Sequence, residues 1–281
     1  MEEHLEIDAI GFSPNPKVAV PSGVHEGPSP YATCYNMNHA KRGLAVIFNH
    51  KHFSIAQCPT RRGTNKDRDD LKKLFGKFNF EVQCYNDLTK DEVRKVLIQV
   101  AVNDHTNEDC LVIVILSHGD NRKIFAKDTY YPTDLLWNYF DGNHAPTLAG
   151  KPKLFFIQAC RGEEVDKGVR MMGRTEVDSN TKHEHSFYSI PVMADILVMY
   201  STAEFYLSWR NPESGSYFIQ SLIRQLSAHA DKKDLLSILT YVNREVAIGN
   251  SPEMLRDKLI GYANKQICCI VSMLTREIYL M

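Results

Sequence analysis

What this sequence lacks narrows its function before any motif is read. It has no run of about 18 consecutive apolar residues, so no membrane-spanning helix is expected. Its start, Met1-Glu-Glu-His-Leu-Glu6, is acidic and lacks the basic-then-apolar order of a secretory leader. A strong charge of either sign is also missing: 33 Lys and Arg against 34 Asp and Glu give a net charge of −1 and a pI near 6.8. Binding to a phosphate backbone normally needs a basic face, so neither nucleic acid nor membrane is an expected partner. A disulfide framework is absent as well. The seven cysteines, at 34, 58, 84, 110, 160, 268 and 269, are odd in number, and several lie inside apolar runs. That pattern suits a reducing compartment, and the chain reads as soluble and cytoplasmic.

What is present is an alternation of short apolar runs and helical periods. Residues 1–40 hold five prolines and no sustained period, and read as a short tail. From Arg42 the texture changes. Gly43–Phe48, Phe80–Tyr85, Leu111–Leu116, Leu154–Ala159, Ile196–Tyr200 and Ile267–Leu274 read as six strands. Between them, Asn65–Phe78 carries Leu71, Leu74, Phe75 and Phe78 at helical spacing. Thr89 caps a helix with Glu92 three residues on. Residues 133–140, 214–228 and 234–248 read as further helices. The order predicts an α/β fold, a mainly parallel sheet with helices on both faces and functional loops beyond the strands' carboxyl ends.

Two such ends carry chemistry. Ser117-His118-Gly119 follows the third strand, and Gln158-Ala-Cys160-Arg-Gly162 ends the fourth. A thiol becomes a strong nucleophile beside a base, and histidine is the usual one. Gly119 permits close approach of the main chain, and its amide and that of Cys160 are candidate donors to one oxyanion. Taken alone, a cysteine at a strand end is more often a small buried hydrophobe. It is the meeting of both residues on one rim that favours catalysis. No metal site or cofactor is expected: His183 and His185 lie close together but lack a third ligand.

Gln158-Ala-Cys-Arg-Gly162 resembles the nucleophile signature of caspases, with His118 42 residues upstream. Arg61-Arg-Gly-Thr64, Ser117-His-Gly119, Lys151-Pro-Lys-Leu-Phe-Phe156, Ser208-Trp-Arg-Asn211 and Ile270-Val-Ser-Met-Leu-Thr275 are similar to that family in the same order. The resemblance runs from about Arg42 to the last residues, and the short tail looks like that of an effector caspase. It implies a three-layer fold around a six-stranded sheet, and a cysteine endopeptidase cutting after aspartate.

The resemblance assigns the aspartate pocket to Arg61, Gln158 and Arg210, a composition that suits a buried carboxylate. It gives Ser208 and Arg210 the substrate main chain, Trp209 and Tyr217 the walls of upstream pockets, and Asn211 an acidic residue four places before the cut. Leu207 stands where many effector caspases carry an aromatic, and Tyr217 where tryptophan is commoner. The loop 249–264 matches nothing in the family closely.

The same resemblance makes the chain a zymogen. Asp178, in Thr175-Glu-Val-Asp178, resembles the intersubunit cut, dividing residues 41–178 from 179–281. Asp166 and Asp8 are weaker candidates for cleavage. Implied partners are protein substrates, initiator caspases as activators, inhibitor-of-apoptosis proteins, and a second copy paired across the last strand. The competing reading is a catalytically weak scaffold that binds caspases or their inhibitors.

Overall fold

The computed structural model describes Ser29, residues 31–164, Pro191, residues 193–249 and residues 265–281. Its centre is a six-stranded sheet. β1 (Lys41–Asn49), β2 (Glu81–Asn86), β3 (Glu108–Leu116), β7 (Lys153–Gln158) and β8 (Ile196–Tyr200) run parallel, while β11 (Cys269–Ser272) pairs antiparallel with β8. Across the sheet the order is β11-β8-β7-β3-β1-β2. β1, β3, β7 and β8 are buried almost throughout, which explains why they read as continuous apolar runs rather than alternating ones.

Alternate side chains of these strands point to opposite faces, and each face has its own core. Ala45, Ile47, Val112, Val114, Leu154, Phe156, Leu197 and Met199 meet three helices, α1 (Thr64–Lys77), α3 (Tyr217–His229) and α4 (Leu235–Ile248). On the other face Val46, Phe48, Ile113, Ile115, Phe155, Ile157 and Val198 meet α2 (Lys90–Val102) and the short 3₁₀ turns Thr133–Leu136 and Pro146–Leu148. Full burial of such a side chain stabilises by about 1.5–3 kcal/mol, so truncating a central one such as Phe156 to alanine removes a large share of net stability. The expected three-layer α/β architecture is therefore present.

Helix ends follow local chemistry. Thr89 and Glu92 form the reciprocal capping box anticipated for α2. Ser216 caps α3 and Asp234 caps α4, so these helices begin at Tyr217 and Leu235 rather than slightly upstream. The helix expected over 133–140 is only a 3₁₀ turn. Its two anchors, Leu136 and Phe140, are buried, but Asp141 folds the following chain into a turn by accepting from the Asn143 and His144 amides.

Two small antiparallel units had no counterpart in the periodicity, because their strands are two or three residues long. β4 (Gly119–Asp120), β5 (Lys123–Phe125) and β6 (Tyr130–Pro132) form one; β9 (Arg210–Asn211) and β10 (Gly215–Ser216) form the other. Packing also starts before residue 40. Tyr35 is buried, its amide donates to the Glu277 carbonyl, and its hydroxyl donates to Asp195 Oδ1 at 2.6 Å.

Candidate active site

Leu116 and Gln158 are register partners at the ends of β3 and β7, so the two chain segments leave the sheet side by side. His118 lies two residues past one end and Cys160 two past the other. A Cβ on Gly119 would lie 2.5 Å from the Cys160 carbonyl oxygen and 2.9 Å from Ala159 Cβ, closer than a side chain tolerates. Glycine thus lets the His118 turn pack directly against the nucleophile's main chain.

His118 Nε2 lies 2.8 Å from the carbonyl oxygen of Pro59. A carbonyl only accepts, so Nε2 of the neutral ring carries the proton and Nδ1 is left as an acceptor. The Phe53 ring packs at 5.0 Å between centroids. Burial lowers the pKa of His118; the Pro59 bond opposes that, and the positive charges of Arg61 and Arg210 add to it. A neutral imidazole with an open nitrogen is suited to take a proton from a thiol.

Cys160 is half-buried. Its Sγ accepts from the Ser208 amide at 3.4 Å and lies 3.7 Å from the Ser208 carbonyl oxygen. The chain beyond it is stitched to the chain entering Ser208. Arg161 N donates to Tyr206 O, Phe205 N to Arg161 O, Glu164 N to Phe205 O and Leu207 N to Glu164 O, all at 2.9–3.1 Å. The Arg161 guanidinium stacks over the Tyr200 ring at 4.0 Å and reaches Glu204 at 3.8 Å. Arg161 is thereby a fastener of the loop, a use that the sequence alone did not suggest.

Two guanidiniums, of Arg61 and Arg210, lie close enough to the thiol to act on its charge. Arg61 is 2% exposed, and its guanidinium donates to the His50 carbonyl at 3.0 Å and to Thr64 Oγ1 at 2.8 Å. Arg210 donates to the Arg62 carbonyl, which brings β9 against the start of α1. Among the described residues neither Arg61 nor Arg210 forms an ion pair. Burial, and then the neighbouring Arg210, lower the pKa of Arg61 to about 9; Asp67 and Cys160 oppose that. Burial also lowers Arg210. Burying a cation without a carboxylate is costly, and an arriving carboxylate removes that cost. Gln158, 2% exposed, donates from Nε2 to Ser208 Oγ at 2.8 Å and has a second amide proton to offer.

The remaining expected site residues lie along the segment 207–217 that follows the Cys160 loop's partner strand. Ser208 joins Cys160 and Gln158. The Trp209 amide donates to Gln266 Oε1 at 2.8 Å, and its carbonyl accepts from the Tyr217 amide at 3.4 Å, so these two aromatics start from adjacent backbone. Leu207 is held by Glu164. The Asn211 side chain accepts from the amides of Glu213 and Ser214, closing the β9–β10 turn. Asp8, Asp166 and Asp178 lie outside the described residues. Among the described residues no cluster of three His, Cys, Asp or Glu is arranged to hold a metal, and no helix is long and apolar enough to cross a membrane. Pro59, His50 and Asp67 contribute to the site through a carbonyl, a carbonyl and a carboxylate that no motif marked.

Known proteins share this fold and much of its sequence. The family model described as the caspase domain matches residues 42–279. The sequence is 44% identical over 248 residues to Caspase-1 of Spodoptera frugiperda, spanning 87% of this chain and 80% of that protein. It is 43% identical over 247 residues to Caspase-3 of Mesocricetus auratus, spanning 87% and 86%. The crystal structure of Caspase-1 from Spodoptera frugiperda superposes with a TM-score of 0.78 at 42% identity, covering 89% of this chain and 95% of that one.

Proposed function

Because this chain belongs to the caspase family of cysteine endopeptidases, we propose that it cuts proteins after aspartate as an executioner of apoptosis. The observation that carries the aspartate preference is the pair Arg61 and Arg210, two guanidiniums whose charges act on Cys160 and which form no ion pair among the described residues. A pocket for a basic side chain would need the opposite charge.

In the proposed reaction His118 Nδ1 takes the proton of Cys160 Sγ, and the thiolate attacks the main-chain carbonyl carbon of the bound aspartate. The oxyanion is received by the main-chain amides of Gly119 and Cys160. Collapse breaks the C–N bond, and the amine leaves with the proton held by His118. The acyl group then sits on sulfur as a thioester. His118 next deprotonates a water, which attacks the thioester; the acid leaves and the proton returns to Cys160. No cofactor enters.

Ser208 is proposed to pair with substrate main chain as an added strand. Its backbone now rests on the thiol, which supports a zymogen whose site opens after processing. On this reading Asp178 is cut, residues 41–178 become the large subunit and 179–281 the small one, and residues 1–40 are the short prodomain, whose last part packs on the sheet at Tyr35. Asp8 and Asp166 are secondary cut sites. Initiator caspases act as activators, inhibitor-of-apoptosis proteins as regulators, the cytosol is the compartment, and two processed pairs join across β11.

Mass spectrometry of the purified protein and of Cys160→Ala tests this. Expected are fragments ending at Asp178 from the intact protein and none from the variant, with an aspartyl electrophile labelling Cys160. Cleavage of no aspartyl bond by the intact protein, with no labelling, would leave the scaffold reading standing instead.

A further inference from the structure

Asp67 is a carboxylate buried where an uncharged side chain would be expected. It lies on α1, wholly buried, beside the two pocket arginines. Both of its oxygens stand 3.0 Å from the Ser216 amide, and Oδ1 accepts from Gln220 Nε2 at 2.9 Å. The chain makes room for it: Gly215 has φ 96°, and a Cβ there would lie 2.3 Å from Oδ1. Ser216 caps α3, whose amino end carries partial positive charge that favours an anion.

Ser216 is also the register partner of Arg210 across β9 and β10. A tie from Asp67 to Ser216 therefore fixes the backbone that presents Arg210. The same carboxylate opposes the loss of charge on both Arg61 and Arg210. Without an anion, two guanidiniums facing one pocket repel each other until substrate arrives.

We propose that Asp67 is a positioning residue for the aspartate pocket: through Ser216 it sets Arg210 opposite Arg61, and its charge keeps both guanidiniums in place before substrate binds. This rests on the aspartate-directed reading above. It adds that the pocket's geometry is held across the two halves of the chain, since Asp67 precedes Asp178 and Ser216 and Gln220 follow it.

The role carries a pH signature. Burial raises the pKa of Asp67 to about 6, against the hydrogen bonds of Gln220 and Ser216 and the charge of Arg61. The charged and titratable groups facing it are Arg61 from the preceding loop, Arg210 from β9, and Asp70 on its own helix, which is paired with Lys66 at 2.6 Å. Gln220 on α3 is neutral. Protonating Asp67 removes the counter-charge, so KM for an aspartyl peptide should rise as pH falls through about 6.

The test is steady-state kinetics of the processed enzyme on an aspartyl peptide from pH 5 to 8. Asp67→Asn should raise KM roughly tenfold, with a smaller change in kcat, and lose the rise in KM near pH 6. Asp67→Asn with Gln220→Glu returns a carboxylate to the same hydrogen-bonded pair and should recover much of KM. Thermal unfolding at pH 7 should show no loss in Asp67→Asn, because the ionised acid is disfavoured by burial. Unchanged KM, or a pH step that persists in the variant, overturns the proposal. Should Asp67→Asn not fold, Gln220→Glu alone decides: a second carboxyl beside Asp67 moves the KM step to higher pH, and an unmoved step overturns the proposal. Wild-type protein that cleaves after no aspartate defeats the functional reading, and this inference falls with it.

Discussion

His118 Nε2 stands 2.8 Å from the Pro59 carbonyl oxygen, and this contact decides which ring nitrogen is left for the thiol. The ring is half-buried beside two arginines, so its protonated form is disfavoured. The direction matters for the rate. A base whose pKa is lowered stays neutral, and active, until the pH falls below the ordinary histidine value of about 6.5. The acid limb of kcat is therefore expected below that value. A limb at pH 7 or above would show that another group is the base. His118→Ala should lower kcat by about 10²–10⁴-fold.

Arg61 is expected to separate stability from activity. Its guanidinium is buried with hydrogen bonds but no ion pair among the described residues, and burial disfavours its charge. Replacing such a charge with an apolar side chain of similar volume is often neutral or stabilising. Arg61→Met should thus unfold at or above the wild-type temperature while losing about 10²-fold or more in kcat/KM on aspartyl peptides, because a desolvated charge partner is worth about 2–5 kcal/mol. Retained activity in a folded Arg61→Met would remove Arg61 from the pocket.

β11 is the outermost strand on its side of the sheet, and Val271 on it is 44% exposed. An open edge with an exposed β-branched residue is a template for another strand. If two copies pair there, Val271→Glu places like charges near the two-fold axis. Sedimentation should then show the half-sized species at concentrations where wild type is paired. An unchanged sedimentation coefficient would move the interface elsewhere.

Much of this was legible in the sequence for a physical reason. Strands buried on both faces must be apolar throughout, so β1, β3, β7 and β8 announced themselves, and Thr89 with Glu92 marked the start of α2 by its own hydrogen-bond chemistry. Cys160 and His118 were visible because strand ends have a fixed relation to the functional rim of a parallel sheet. The rest was hidden because it depends on pairing between distant segments. Nothing near Pro59 says that its carbonyl will meet His118. Nothing in the sequence of α1 sets Asp67 apart from the other charges there, because its surroundings come from α3 packing against it. Strands as short as β9 and β10 have no period to read, although they carry Arg210.

Tyr35 is the last such case, and its effect should be confined to stability. Its hydroxyl donates to Asp195 Oδ1 at 2.6 Å and accepts from the Thr275 amide at 2.9 Å, while Thr275 Oγ1 also donates to Asp195 Oδ1 at 2.6 Å. The cluster joins the segment before β1, the residue before β8 and the chain after β11. Asp195 is wholly buried with φ 65°, and among the described residues its Oδ2 has no hydrogen-bond partner. Tyr35→Phe keeps the ring but removes a donor to this acid. The expected loss is about 1–3 kcal/mol, or roughly 2–10 °C in Tm for a chain of this size. Asp195 precedes β8, whereas His118 and Cys160 follow the opposite ends of their parallel strands, so kcat and KM at 25 °C should not change. An unaltered Tm would show that the cluster contributes nothing. A change in KM with Tm intact would mean instead that this end of the sheet is coupled to the pocket.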